Sequence, residues 1–175
     1  MIDEFVDLLQ ESRVDFVVDV RSMPRSRTNP QFNRESLSET LASRQIGYEH
    51  IAELSGLRGK TRSTEPSPNG YWRVRGFRNY DADYALTMPF SLGLARLREL
   101  GAQHRCAIMC AEAVWWRCHR RIIADYLLAA EEEVFHILDR DHVDTARLTS
   151  AARPDGDGGL IYSEGAAGTM DSDGI

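Results

Sequence analysis

At 175 residues the chain has room for one domain with a hydrophobic core, and 42% apolar with 27% charged residues is the balance of an ordinary globular protein. No apolar run approaches the roughly 20 residues needed to span a bilayer, so no membrane partner is expected. A net charge of −6 argues against a general nucleic-acid coat protein, but residues 13–78 carry a local +5 and residues 131–175 a local −8.

The acidic opening 1-MIDEFVDLLQESR-13 has Ile2, Phe5, Val6, Leu8 and Leu9 at helical spacing and is not the pattern of an export signal. With three cysteines, the expectation is a cytoplasmic protein with reduced thiols, and no cofactor is expected. Next, 14-VDFVVDV-20 predicts a buried strand of the kind found in parallel sheets, ending at Asp19. The Pro- and Arg-rich 21-RSMPRSRTNPQF-32 predicts a loop, and a helix follows near 34–45 with Leu37 and Leu41 inward. Ser36 with Glu39 forms a possible capping box there, with Asn33 as a competing cap.

A short strand is predicted within 46-IGYEHIAEL-54, and residues 55–78, rich in Gly, Pro and Arg, predict a long loop. Helical pattern resumes at 79–87 and at 89–100, with Pro89 in the first turn and Gly101 as the stop. Then come a strand at 105-RCAIMC-110, a helix over 116–130 and a strand at 133-EVFHIL-138. This rhythm predicts an α/β fold: a three-layer domain over residues 1–142, its parallel sheet covered by helices on both faces, with Arg-rich loops at the carboxyl edge of the strands. Residues 143–175 are acidic and predict a disordered tail.

Parallel sheets bind ligands beyond the carboxyl ends of their strands. Two polar clusters fall at such ends, Asp19-Val-Arg21 and Cys110-Ala-Glu112, and topology brings both to one edge. Cys110 is a candidate nucleophile, its pKa lowered by the following helix N-terminus and nearby arginines, although a free cysteine is commonly a small buried hydrophobe. Glu112 and His119 are acid/base candidates, against readings as a solvated carboxylate and a capping histidine. Asp19, Arg21, Arg117 and Arg120 are candidate ligand-binding residues, since arginine is the better fork for carboxylate and phosphate.

Cys118 is expected to face the core and Cys106 to be packing. Cys110, Cys118 and His119 make a poor metal set, because seven residues separate the cysteines and the last two are adjacent. The spacing from Cys110 to Arg117 is one residue longer than a Cys-x5-Arg phosphate cradle and lacks its glycines. Trp115 and Trp116 suit either stacking on a base or packing against the sheet edge.

The runs 19-DVRSMPRSRTNPQF-32, 54-LSGLRG-59, 67-SPNGYW-72, 77-FRNYDADY-84, 109-MCAEAVWWRCHRRIIADYL-127 and 134-VFHIL-138 together resemble the domain of unknown function 488 family over roughly residues 1–142. The resemblance implies a small cytosolic bacterial or archaeal α/β domain with Asp19 and Arg21 after one strand and Cys110, Glu112, Cys118, His119 and Arg120 around another. It also covers Arg78 and Tyr84, and it supplies no activity.

Three departures stand out. Family members usually open with a strand ending in a Thr-Ile-Gly-His-like motif, whereas this chain starts at the helix after it. Ser55 and Trp115 replace the glycine and proline of closer relatives. The absent strand, whether from a start assigned too late or from a degraded copy, is expected to leave part of the sheet unpaired.

The expected function is that of an enzyme-like domain. Its polar pocket of Asp19, Arg21, Cys110, Glu112, His119 and Arg120 would take a small anionic or nucleotide-like ligand. The alternatives are a non-catalytic module whose Arg-rich loops 21–34 and 58–78 dock nucleic acid or an acidic protein, and a truncated, inactive copy.

Overall fold

The structure is a computed structural model that describes residues 2–56, 67–72 and 82–163. Helix α1 spans Ile2–Glu11, strand β1 Phe16–Asp19, helix α2 Arg34–Ser43 and strand β2 Gly47–His50. The single turn α3 (Asp83–Ala85) leads into helix α4 (Met88–Gly101), strand β3 (Cys106–Met109) and helix α5 (Arg120–Ala129). Four short strands follow: β4 (Phe135–Asp139), β5 (His142–Thr145), β6 (Ala152–Pro154) and β7 (Leu160–Tyr162).

Strands β2, β1 and β3 form a parallel sheet in that order, with Asp19 level with His50 on one side and Met109 on the other. Successive side chains of a strand point to opposite faces. Val17 packs with Val6, Leu9, Leu37 and Leu41 of α1 and α2, while Val18 and Val20 pack with Leu97, Ile122, Ile123 and Leu127 of α4 and α5. The three valines of β1 and its exit are 0% exposed, because helices cover both faces of the central strand. This is the three-layer α/β arrangement that the strand–helix alternation implied.

Helices α1, α2 and α5 end alike. Arg13, Gln45 and Glu131 take left-handed conformations (φ 56°, 60° and 62°). The next N–H then reaches back to the carbonyl five residues earlier, Val14 to Leu9 (2.8 Å), Ile46 to Leu41 (2.9 Å) and Glu132 to Leu127 (3.0 Å).

Several sequence expectations change. The α2 N-cap is Asn33, not a Ser36–Glu39 box, and the Asn33 side chain instead accepts the Ser26 N–H at 2.7 Å. The helix expected over 79–87 is reduced to the α3 turn among the described residues. That expected over 116–130 starts only at Arg120, after a 3-10 turn at Trp115–Arg117. Of the long 55–78 loop, Ser55, Gly56 and Ser67–Trp72 are described, and Arg78 lies outside the described residues.

β4 does not join the parallel sheet. It pairs antiparallel with β5, and Arg140 in their turn ties to Asp7 (2.8 Å) and Glu11 (3.5 Å) of α1.

The segment read as a disordered tail from residue 143 also differs, since β6 and β7 pair antiparallel and enter the α4–α5 core. The Tyr162 hydroxyl donates to Asp125 (3.1 Å), its N–H donates to Asn69 (2.8 Å), and the Leu160 N–H donates to the Tyr126 hydroxyl (2.9 Å). Ala151, Ala152, Leu160 and Tyr162 are buried, and these few residues decide the outcome over the surrounding Gly and Asp. The fold therefore runs past residue 142.

Candidate functional site

At the carboxyl end of β1, the Asp19 carboxylate is wholly buried and fully engaged. It accepts from Arg21 Nε (2.9 and 3.1 Å), Arg21 Nη2 (2.6 Å), the Arg21 main-chain N–H (3.0 Å) and the Tyr48 hydroxyl (2.7 Å). Burial opposes its ionisation, but these donors outweigh burial and hold its pKa below the usual value. Burial and the Asp19 charge together push the Tyr48 hydroxyl well up, so it stays a donor. His50 Nε2 donates to the Arg21 carbonyl at 2.7 Å and fixes the chain as it leaves the strand.

At the end of β3 the neighbouring cluster is built on sulfur. Cys110 Sγ and Cys118 Sγ lie 2.9 Å apart. Cys118 Sγ is also met by Arg120 Nε (3.3 Å), the Arg120 main-chain N–H (3.4 Å) and His119 Nδ1 (3.5 Å). Cys110 Sγ accepts the Glu112 N–H at 3.2 Å. The hydrogen bond from Cys110, helped by His119 and the Arg120 N–H against the cost of burial, lowers the Cys118 thiol well below its usual value. The same hydrogen bond and burial push Cys110 up. One hydrogen bond thus joins the two sulfurs and favours the thiolate on Cys118. By contrast, burial raises the Cys106 thiol to about 11, as befits a packing residue.

His119 stands at the N-cap of α5, ahead of the first helical turn. Its Nε2 contacts the Val20 carbonyl at 3.2 Å, and a carbonyl only accepts, so Nε2 carries a proton. A hydrogen on Nδ1 as well would make a thiolate–imidazolium pair with Cys118. Gly56 permits this placement: a Cβ there would lie 2.6 Å from the His119 ring.

The two clusters share an edge but not a face. Cys106, Ile108 and Cys110 pack toward α4 and α5, whereas Ala107, Met109 and Tyr48 pack toward α1 and α2. Asp19 and Arg21 have the parity of Val17 and hydrogen-bond Tyr48, so the sheet separates their carboxylate–guanidinium pair from the thiols. His119 is the link, reaching the main chain between Asp19 and Arg21.

Glu112 joins the thiol cluster through its main chain, its carbonyl accepting Arg120 Nη2 at 2.6 Å, while the residue itself is exposed. Arg117 is exposed on the 3-10 turn. Trp115 stacks on His136 of β4 with centroids 3.7 Å apart and planes 6° apart. Burial, with Arg120 nearby, lowers His136 to about 4.

A cleft of about 570 Å³ separates β3 from β4. Arg120, Trp115 and Trp116 lie on its wall beside Ile108, Leu127 and Ile137, and Cys110 and Cys118 lie outside it. Among the described residues no group of three His, Cys, Asp or Glu side chains could hold a metal. None of the described helices is long and apolar enough to cross a membrane.

Three contributors escaped the sequence reading. Tyr48 and His50 lie two apart on β2, a period that would have placed both beside Asp19, and Gly56 lay within the run 54-LSGLRG-59 without being singled out.

Comparison with curated proteins and with solved structures gives no match. The family model for domain of unknown function DUF488 matches residues 1–127, which carry both polar clusters, and the chain belongs to that family.

Proposed function

We propose that the thiol cluster and the adjoining cleft form an enzyme-like site for a small anionic or nucleotide-like ligand. The observation that carries this reading is the double placement of Arg120. Its guanidinium contacts Cys118 Sγ at 3.3 Å, and Arg120 is also a residue of the cleft wall, linking the thiol pair to a space of ligand size. Arg120 would hold the anionic group, with the exposed Arg117 adding charge from the neighbouring 3-10 turn, and the Trp115–Trp116 wall would take a ring. Cys110 and His119 are the groups that can exchange a proton with Cys118, and Glu112 joins the cluster through its main chain. Asp19 and Arg21 act as positioning residues, since they pair with each other behind the sheet.

Thermal-shift titration with inorganic phosphate and adenosine monophosphate tests the site. At a hundred times its Kd, a bound ligand stabilises by about 2.7 kcal/mol. The shift should vanish in Arg120→Ala and survive in Arg25→Ala. No shift with either probe, or an equal shift in Arg120→Ala, sinks the reading.

A docking module remains the second reading, favoured by Arg25, Arg27 and Arg34. All three are exposed on and just after the β1–α2 loop without an ion-pair partner among the described residues. Binding to bulk nucleic acid that collapses between about 50 and 200 mM salt would support it.

A further inference from the structure

We infer that Cys110 and Cys118 are a redox-active dithiol that takes small disulfides as its oxidant. The inference rests on the reactive-thiol part of the proposed function. Two sulfurs placed for packing alone would be surrounded by carbon. Here one of them is ringed by a guanidinium, a ring nitrogen, a main-chain N–H and the other sulfur. The pair already sits 2.9 Å apart, and a disulfide needs about 2.0 Å, so closure asks for roughly 1 Å of side-chain movement.

Both partners are fixed at their bases. The Val20 N–H holds the Met109 carbonyl (2.9 Å) beside Cys110, and the Cys118 carbonyl accepts the Arg121 N–H (2.9 Å). Cys106 stands four residues back on the same strand, about 13 Å away at roughly 3.3 Å per residue, and cannot take part.

Accessibility and charge divide the work. Cys118 is 3% exposed, while Cys110 is partly open to solvent at the end of β3. The shared proton moves to Cys118, and the Cys110 thiolate attacks one sulfur of a disulfide RS–SR. A mixed disulfide forms and one RS⁻ leaves, taking a proton. Cys118 then gives up its proton to His119 or solvent and attacks Cys110 Sγ, expelling the second RS⁻. The two cysteines lose two electrons and the small disulfide becomes two thiols. Closing the bond puts a neutral disulfide where Arg120 and His119 now face the Cys118 sulfur.

The test uses the full chain, reduced and then exposed to oxidised glutathione at neutral pH, acid-quenched, alkylated and peptide-mapped by mass spectrometry. The wild type should lose two hydrogens, carry one Cys110–Cys118 link and leave Cys106 alkylated. Cys118→Ser should accumulate glutathione on Cys110. Cys110→Ser should react at least about tenfold more slowly than wild type. A wild-type mixed disulfide that persists on Cys110 overturns the inference, as does a link through Cys106 or protection of both thiols until the chain is denatured.

Phosphate and nucleotide thermal shifts on the same reduced sample keep the two proposals apart. An intact ligand shift without the link removes the dithiol alone, and an intact link without the shift removes the ligand site alone.

Discussion

Without the Arg21 guanidinium, the buried Asp19 carboxylate would keep only Tyr48 and one main-chain N–H as donors. Breaking a buried ion pair from one side typically costs about 3–5 kcal/mol, so Arg21→Ala should lose that much stability in urea unfolding. A loss below about 1 kcal/mol, the size of a surface pair, would mean the carboxylate is not buried as described. The sign with pH follows from the lowered pKa of Asp19. The pair's contribution is complete above the unfolded value of 3.8 and is lost as pH falls through the lower folded value. Position was legible in the sequence at this scale, because a polar Asp-Val-Arg at the end of an apolar strand marks an edge. Mutual satisfaction was not, because it depends on Arg21 folding back over its own second neighbour.

The ends of the helices were legible to within two residues from where the apolar periodicity runs out, although three of their stop residues carry no glycine signal. Arg13, Gln45 and Glu131 occupy the left-handed position that glycine usually takes, so nothing in the sequence flags it. Each such residue costs about 1–2 kcal/mol, and glycine recovers most of that while giving back about 0.5–1 kcal/mol in chain entropy. Gln45→Gly is therefore expected to raise stability by about 0.5–1 kcal/mol, read as an increased denaturation midpoint at an unchanged slope. A decrease would show that the Gln45 side chain contributes more than its backbone costs. The start of α5 was misjudged for a related reason. Trp115–Arg117 has helix-like composition but turns as 3-10, which is what carries Cys118 back to Cys110.

Across the molecule, the α/β layering was readable because β1 is apolar on both parities and because helical stripes flank it. Long-range pairing was not. Neither the return of β7 beneath α5 nor the separation of β4 from β3 leaves a local trace, and both are settled by contacts between residues far apart in the chain. The placement of the two polar clusters on opposite faces follows from strand parity, yet it needed the observed register to be assigned.

The cleft beside β3 has its own consequence. Successive N–H groups of an extended strand point to opposite sides, so alternate amides of Cys106–Met109 face β1 and the others face open space. Deuterium uptake should follow that alternation, slow for one set and fast for the other, while β1, paired along both margins, stays uniformly protected. Uniform protection along β3 would mean that its outer margin is closed after all. Gentle warming should therefore part the β4–β5 ribbon from the body along this cleft before the parallel sheet gives way.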